Sequence, residues 1–122
     1  AYDGDNGSGH STYDFAVSCG NYWHKTRGVP AEKVVLGMPF YARSGSVPYR
    51  TIISAVPGAE RKDTVTYQGR QIWYNGMDTI AAKTAYARDT LGGVMIWEIT
   101  QDAAGEKSRT FHRFGCRRAV CG

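Results

Sequence analysis

The sequence predicts a parallel α/β fold, and two stretches carry that prediction. In one, Gly92-Gly93 releases the chain into Val94-Met95-Ile96-Trp97-Glu98-Ile99, where only the glutamate is polar. In the other, Lys33-Val34-Val35-Leu36-Gly37-Met38-Pro39-Phe40 is mostly apolar and runs on into Tyr41-Ala42-Arg43. Near-continuous apolarity, instead of alternation, marks a strand covered on both faces. Each stretch follows a helical pattern, and a helix leading into a buried strand, twice over, gives right-handed βαβ units. Sites in parallel sheets are built at the carboxyl ends of strands. Tyr41, Arg43 and Trp97 all fall at such ends. Trp97 is either plain packing or the floor of a pocket.

The chain opens on a polar, glycine-rich loop, residues 2–10. Asp3, Asp5 and Asp14 match places one, three and twelve of a calcium loop. Gly7 and Ser8 stand where a ligand and the sharp-turn glycine belong, so no metal site is expected. Ser11 with Asp14 three residues on resembles a capping box. Phe15, Cys19, Tyr22 and Trp23 then recur at helical spacing, which predicts an amphipathic helix over 11–25, stopped by Gly28 and Pro30. After the strand of 33–43, where Pro39 should mark the end of regular pairing, an insertion follows. It comprises a short helix over 49–56 closed by Pro57-Gly58, and a hairpin of 64–67 with 70–74 turning at Gln68-Gly69. Asn75-Gly76 is a turn, and Asp78 or Thr79 caps a helix to about 89 whose Ile80, Lys83 stem, Thr84, Ala87 and Leu91 share one face. That helix feeds the strand after Gly93.

With 122 residues the chain is one domain at most, and 42% apolar with 21% charged residues is ordinary globular composition. Fifteen glycines and eight tyrosines point to many turns and to a site using flat, hydroxyl-bearing rings. No apolar run reaches the ~18 residues of a membrane span, and the opening residues Ala1-Tyr2-Asp3 do not themselves form a charged-then-apolar signal region. Cys19, Cys116 and Cys121 allow at most one internal disulfide and leave the compartment open. The net charge of +4 is concentrated late, in Arg109, Arg113, Arg117 and Arg118. A short basic run carries no readout geometry, so residues 108–122 read as a divergent, solvated and loosely ordered basic tail, not a nucleic-acid patch.

Four segments together resemble a known family. Tyr2-Asp3, KVVLGMPFYAR at 33–43, Trp73-Tyr74-Asn75-Gly76 through Lys83, and LGGVMIWEITQD at 91–102 are similar to the carboxyl-terminal part of family 18 glycoside hydrolases, the bacterial chitinases. The resemblance covers roughly 1–107 and implies a partial (β/α)8 TIM barrel. The chain would enter at the end of strand six and continue through strand eight, with a short inserted helix and hairpin. It implies no cofactor, chitin or N-acetylglucosamine oligomers as the partner, no nucleic acid, no membrane, and a secreted parent.

The resemblance also assigns residues. Tyr2 and Asp3 match the end of the family's M-x-Y-D motif in supporting catalytic roles, with the tyrosine hydroxyl holding the N-acetyl group that attacks its own sugar's anomeric carbon. Trp97 matches the floor of the subsite where the bond breaks, while Tyr41 and Arg43 match its wall. Ala42 stands where a glycine is common. Trp73 and Tyr74 fit either a cleft lining or the core of the hairpin. The family's general acid ends a D-x-x-D-x-D-x-E motif, and that string does not occur in these 122 residues. Asp3, Asp5 and Glu98 are the acids near expected strand ends, and strand alternation turns Glu98 away from the side of Trp97. The expectation divides between a piece of a substrate-assisted chitin hydrolase without its acid and a non-catalytic fragment that binds N-acetylglucosamine oligomers. A fragment with no function of its own is the blander alternative, its open sheet flanks covered by self-association or a partner.

Overall fold

A computed structural model describes residues 1–2 and 8–109. Helix α1 spans Tyr13–Asn21 and passes into a π-turn, Tyr22–Thr26. The cap is Thr12, whose Oγ1 accepts from Phe15 N at 3.3 Å. Ser11, the expected cap, instead has φ 50° and donates its hydroxyl to Ala1 O. The expected stripe is also corrected, because Ala16 and Gly20 are the buried positions whereas Tyr22 and Trp23 are 47% and 52% exposed. The helix uses its small residues to approach helix 77–90. A Cβ on Gly20 would stand 2.5 Å from Tyr86 Oη, so large rings are turned outward.

Strand β1 is Val35–Pro39, followed by a short pair, β2 (Tyr41–Ala42) and β3 (Val47–Pro48). Helix α2, Tyr49–Ala55, ends before Pro57-Gly58 as the sequence predicts. The hairpin is β4 (Thr64–Tyr67) against β5 (Arg70–Trp73). Gln68 and Gly69 carry φ 49° and 71°, the two left-handed residues that a type I′ turn requires. Helix α3, Met77–Thr90, then leads into β6, Gly93–Trp97.

β6 pairs with β1 in parallel, from Val35 opposite Gly93 to Pro39 opposite Trp97. Regular pairing does end at Pro39, and Phe40 N donates to Trp97 O at 2.8 Å. One face of this sheet, with Leu36, Met38, Val94 and Ile96, packs on Ala16, Ile80, Ala87 and Leu91 from the helices. The other is open. Val35, Met95 and Trp97 are 55%, 43% and 58% exposed, which corrects the expectation of strands buried on both sides. Helices cover one face only among the described residues, and the outer edges of β1 and β6 have no strand partner there. The described residues form three two-stranded sheets and no closed barrel.

The start of α3 departs from the local expectation. Asp78 and Thr79 lie inside the helix, and the cap position is Gly76. Asp63, just before β4, supplies the acceptor: Gly76 N donates to it at 2.8 Å and Thr79 Oγ1 at 2.6 Å. Lys83 is buried whole, not by its stem alone. Its ammonium donates to Ser11 O, to Ser11 Oγ at 2.8 Å and to Asn75 Oδ1 at 2.5 Å. This ties the loop before α1 to the loop before α3.

The insertion has its own core of Ala42, Tyr49, Ile52, Ile53, Ala59, Val65, Ile72 and Tyr74. Against it lies a correction to the tail. Ser108 and Arg109 are buried, and the Arg109 guanidinium sits between the rings of Phe40 and Tyr49, 3.8 and 3.7 Å from their centroids. Charge suggested solvation, but a flat guanidinium stacks well on aromatic faces. The rest of the predicted tail, with Arg113, Arg117, Arg118, Cys116 and Cys121, lies outside the described residues, as do Asp3, Asp5 and Gly7 of the would-be calcium loop.

Candidate functional site

The carboxyl ends of β1 and β6 open into a hollow of about 470 Å³, lined by Tyr41, Ala42, Arg43, Ser44, Ser46, Trp97 and Gln101. That volume falls within the range of small-molecule sites, roughly 300–1,000 Å³. Three of the residues expected from the sequence, Tyr41, Arg43 and Trp97, therefore line one cleft. Trp97 arrives as the last residue of β6, so its ring leaves the sheet where pairing stops. Tyr41 is set by its pairing opposite Pro48. Arg43 is anchored through its backbone, its N donating to Trp73 O at 2.8 Å.

Tyr2 does not line the hollow but lies on the same open face of the sheet. Its ring covers Gly37, where an added Cβ would meet it at 2.8 Å, and its hydroxyl donates to Met95 Sδ at 3.4 Å. Glycine at position 37 is what lets the ring lie flat on the strand. Burial, and secondarily the neighbouring Tyr41, push the Tyr2 hydroxyl up to about 12. It is thus a neutral donor throughout the ordinary pH range. His10, buried and not singled out from the sequence, packs its ring 5.1 Å from that of Tyr41. Asp3 lies outside the described residues.

Glu98 stands just past the last residue of β6. The Trp97–Glu98 peptide is cis. Glu98 Oε1 accepts from Thr100 Oγ1 at 2.7 Å, and Glu98 is not among the residues lining the hollow. Tyr74 belongs to the hairpin core, donating to Ala59 O at 2.7 Å, and neither it nor Trp73 lines the hollow. Ser44, Ser46 and Gln101 were not singled out from the sequence. Arg-Ser-Gly-Ser reads only as a turn, and Gln101 only as a polar residue after a strand.

The sequence pattern of glycosyl hydrolases family 18 matches residues 2–102. The chain belongs to glycosyl hydrolases family 18. Its structure is similar to that of the GH18 chitinase ChiB from the chitin utilization locus of Flavobacterium johnsoniae, with a TM-score of 0.74 and 36% identity over 89% of this chain. It is likewise similar to a chitinase from Bacteroides thetaiotaomicron, with a TM-score of 0.70 and 30% identity over 86% of this chain. The chain spans only 38% of the length of each. Chitinase ChiW of Paenibacillus sp. str. FPU-7 shares the fold alone, at 22% identity and a TM-score of 0.55, over 84% of this chain and 15% of its own. No curated protein matches the chain. The α/β fold of this family member thus resembles part of a family 18 chitinase barrel.

The tyrosines set an alkaline limit on stability. Burial raises the pKa of Tyr2 to about 12 and raises Tyr49, Tyr74 and Tyr86 as well. In the unfolded chain each ionises near pH 10, so above that pH the folded state binds more protons and stability falls as pH rises. Arg109 acts in the opposite sense. Burial lowers it to about 9, so the unfolded chain binds the extra proton from there upward. One group opposes four, and the urea midpoint should fall steadily above about pH 10. The share of tyrosinate absorbance that belongs to Tyr2, Tyr49, Tyr74 and Tyr86 should appear with unfolding, not before it. A midpoint holding level to pH 12 would contradict the burial of these hydroxyls.

Proposed function

We propose that this chain supplies the sugar-gripping part of a chitinase-type site, as the segment from the end of barrel strand six through strand eight, over residues 1–107. One observation carries the reading: Tyr41, Arg43 and Trp97 share one hollow whose described lining contains no carboxylate. A pyranose ring presents a face of C–H groups that stacks on the exposed Trp97 ring, while its equatorial hydroxyls reach hydrogen-bonding groups at the wall. Tyr41 and Arg43 supply those groups. Tyr2, held neutral on the same sheet face, is the donor for the acetamido oxygen that acts as the internal nucleophile in substrate-assisted hydrolysis. A general acid has to reach the scissile oxygen. With no D-x-x-D-x-D-x-E string in the 122 residues, we assign that acid to polypeptide outside this sequence.

The ligand is accordingly a β-1,4-linked N-acetylglucosamine oligomer, as in chitin, bound and not cleaved by this segment alone. The open face and edges of the β1–β6 sheet are where the remaining strands of a barrel, or a second copy, would pack. Chitin is an extracellular polymer, and one protein sharing the fold is described as cell-surface-expressed, which favours an exported parent. The test is release of a reporter group from an N-acetylglucosamine oligomer glycoside, against a mock purification that controls for host chitinase. No release above the mock is expected. Turnover that tracks the protein would mean an acid within the chain, and Asp3, Asp5 and Glu98 would then be the groups to replace.

A further inference from the structure

The turn that lines the hollow together with Trp97 is built in a costly way. β2 and β3 are joined by Arg43-Ser44-Gly45-Ser46, with Ala42 opposite Val47 closing the ladder. Ser44, Gly45 and Ser46 all have positive φ, at 70°, 121° and 50°. In that region a side chain crowds the following carbonyl, and glycine is the residue that adopts it freely. The sequence uses glycine at the centre and serine on either side. Neither serine is buried, and neither hydroxyl is engaged by another described residue. Both line the hollow beside Arg43. A turn selected only for closing β2 on β3 gains nothing from serine at these two positions.

We propose that Ser44 and Ser46 form a hydroxyl rim that recognises the equatorial hydroxyls or acetamido group of the sugar seated on Trp97. The proposal rests on the reading of the hollow as an N-acetylglucosamine-oligomer site and adds to it the residues that read the polar edge. Each serine both donates and accepts, which suits the alternating donors and acceptors of a sugar's equatorial rim, whereas Trp97 supplies only a face. The backbone pairing of Arg43 with Trp73 fixes the base of the turn, so the two hydroxyls are presented from a held position. Backbone strain of this kind persists where it positions a functional group.

Two double variants separate recognition from folding. S44A/S46A keeps the backbone cost and removes the hydroxyls, while S44G/S46G removes both. Both should bind chitotetraose about tenfold more weakly than the wild type, as expected for two lost hydrogen bonds. S44G/S46G should also melt at a higher temperature than S44A/S46A. Calorimetric titration reads the first effect and thermal unfolding the second. Wild-type affinity in both variants, with binding still weakened by W97A, would overturn the rim while leaving the sugar site standing. Absence of chitotetraose binding to the wild type would overturn both.

Discussion

Arg109→Ala is expected to destabilise the fold by about 3 kcal/mol, a drop of roughly 10 °C or more in Tm, whereas Arg109→Met should remain within about 1 kcal/mol of the wild type. The difference follows from what the side chain does. It is fully buried and fills the space between Phe40 and Tyr49, each ring within 3.8 Å of the guanidinium carbon. Its Nη1 donates to Asn75 O and its backbone N to Asp102 Oδ1 at 3.0 Å. However, Nε and Nη2 have no hydrogen-bond partner among the described residues, and Asp102 Oδ1 stands 3.8 Å from Nε. Desolvation is the largest influence on its pKa and lowers it, outweighing Tyr49 and Asp102. The charge is therefore held at a cost while the packing is favourable. Methionine keeps most of that packing and discards the cost; alanine leaves a gap between two rings. Urea and thermal unfolding of the two variants check this. Equal damage by methionine and alanine would mean that the charge and its hydrogen bonds, not the stacking, hold residues 102–109 against the insertion.

Trp97→Ala should leave stability within about 0.5 kcal/mol, because the ring is 58% exposed, yet weaken oligomer binding by roughly thirtyfold or more. A central aromatic anchor contributes more to binding than the polar contacts around it. Calorimetry is the suitable readout, since the substitution also removes the fluorophore nearest the ligand. Trp97→Phe, which keeps a smaller flat face, should recover part of the loss. Unchanged affinity in Trp97→Ala would remove Trp97 from the site.

What was legible in the sequence was what local chemistry decides. Gln68-Gly69 fixed a hairpin because a two-residue turn needs left-handed residues there, and the apolar runs at 34–38 and 94–97 read correctly as parallel strands. Tyr41, Arg43 and Trp97 were singled out because they sit at strand ends, and they line one hollow. Elements decided by distant residues were not legible. Asp63 caps a helix that begins fourteen residues later, and no local pattern reveals it. Tyr22 and Trp23 have helical spacing, but α1 approaches α3 through Ala16 and Gly20, so periodicity named the wrong face. Lys83 and Arg109 were read as solvent-seeking charges, yet one finds three oxygen acceptors on two loops and the other finds two rings. Ser44, Ser46 and Gln101 reach the hollow through turn geometry, which leaves no periodic trace.

The most direct test of the central claim is the indole N–H resonance of Trp97, followed by two-dimensional NMR as chitotetraose is added. A saturable shift of that resonance, with the exposed Trp23 indole in the π-turn after α1 unmoved and no sugar cleaved over the titration, is the expected result. A shift confined to Trp23, or none at saturating oligomer, would contradict a sugar site at the ends of β1 and β6.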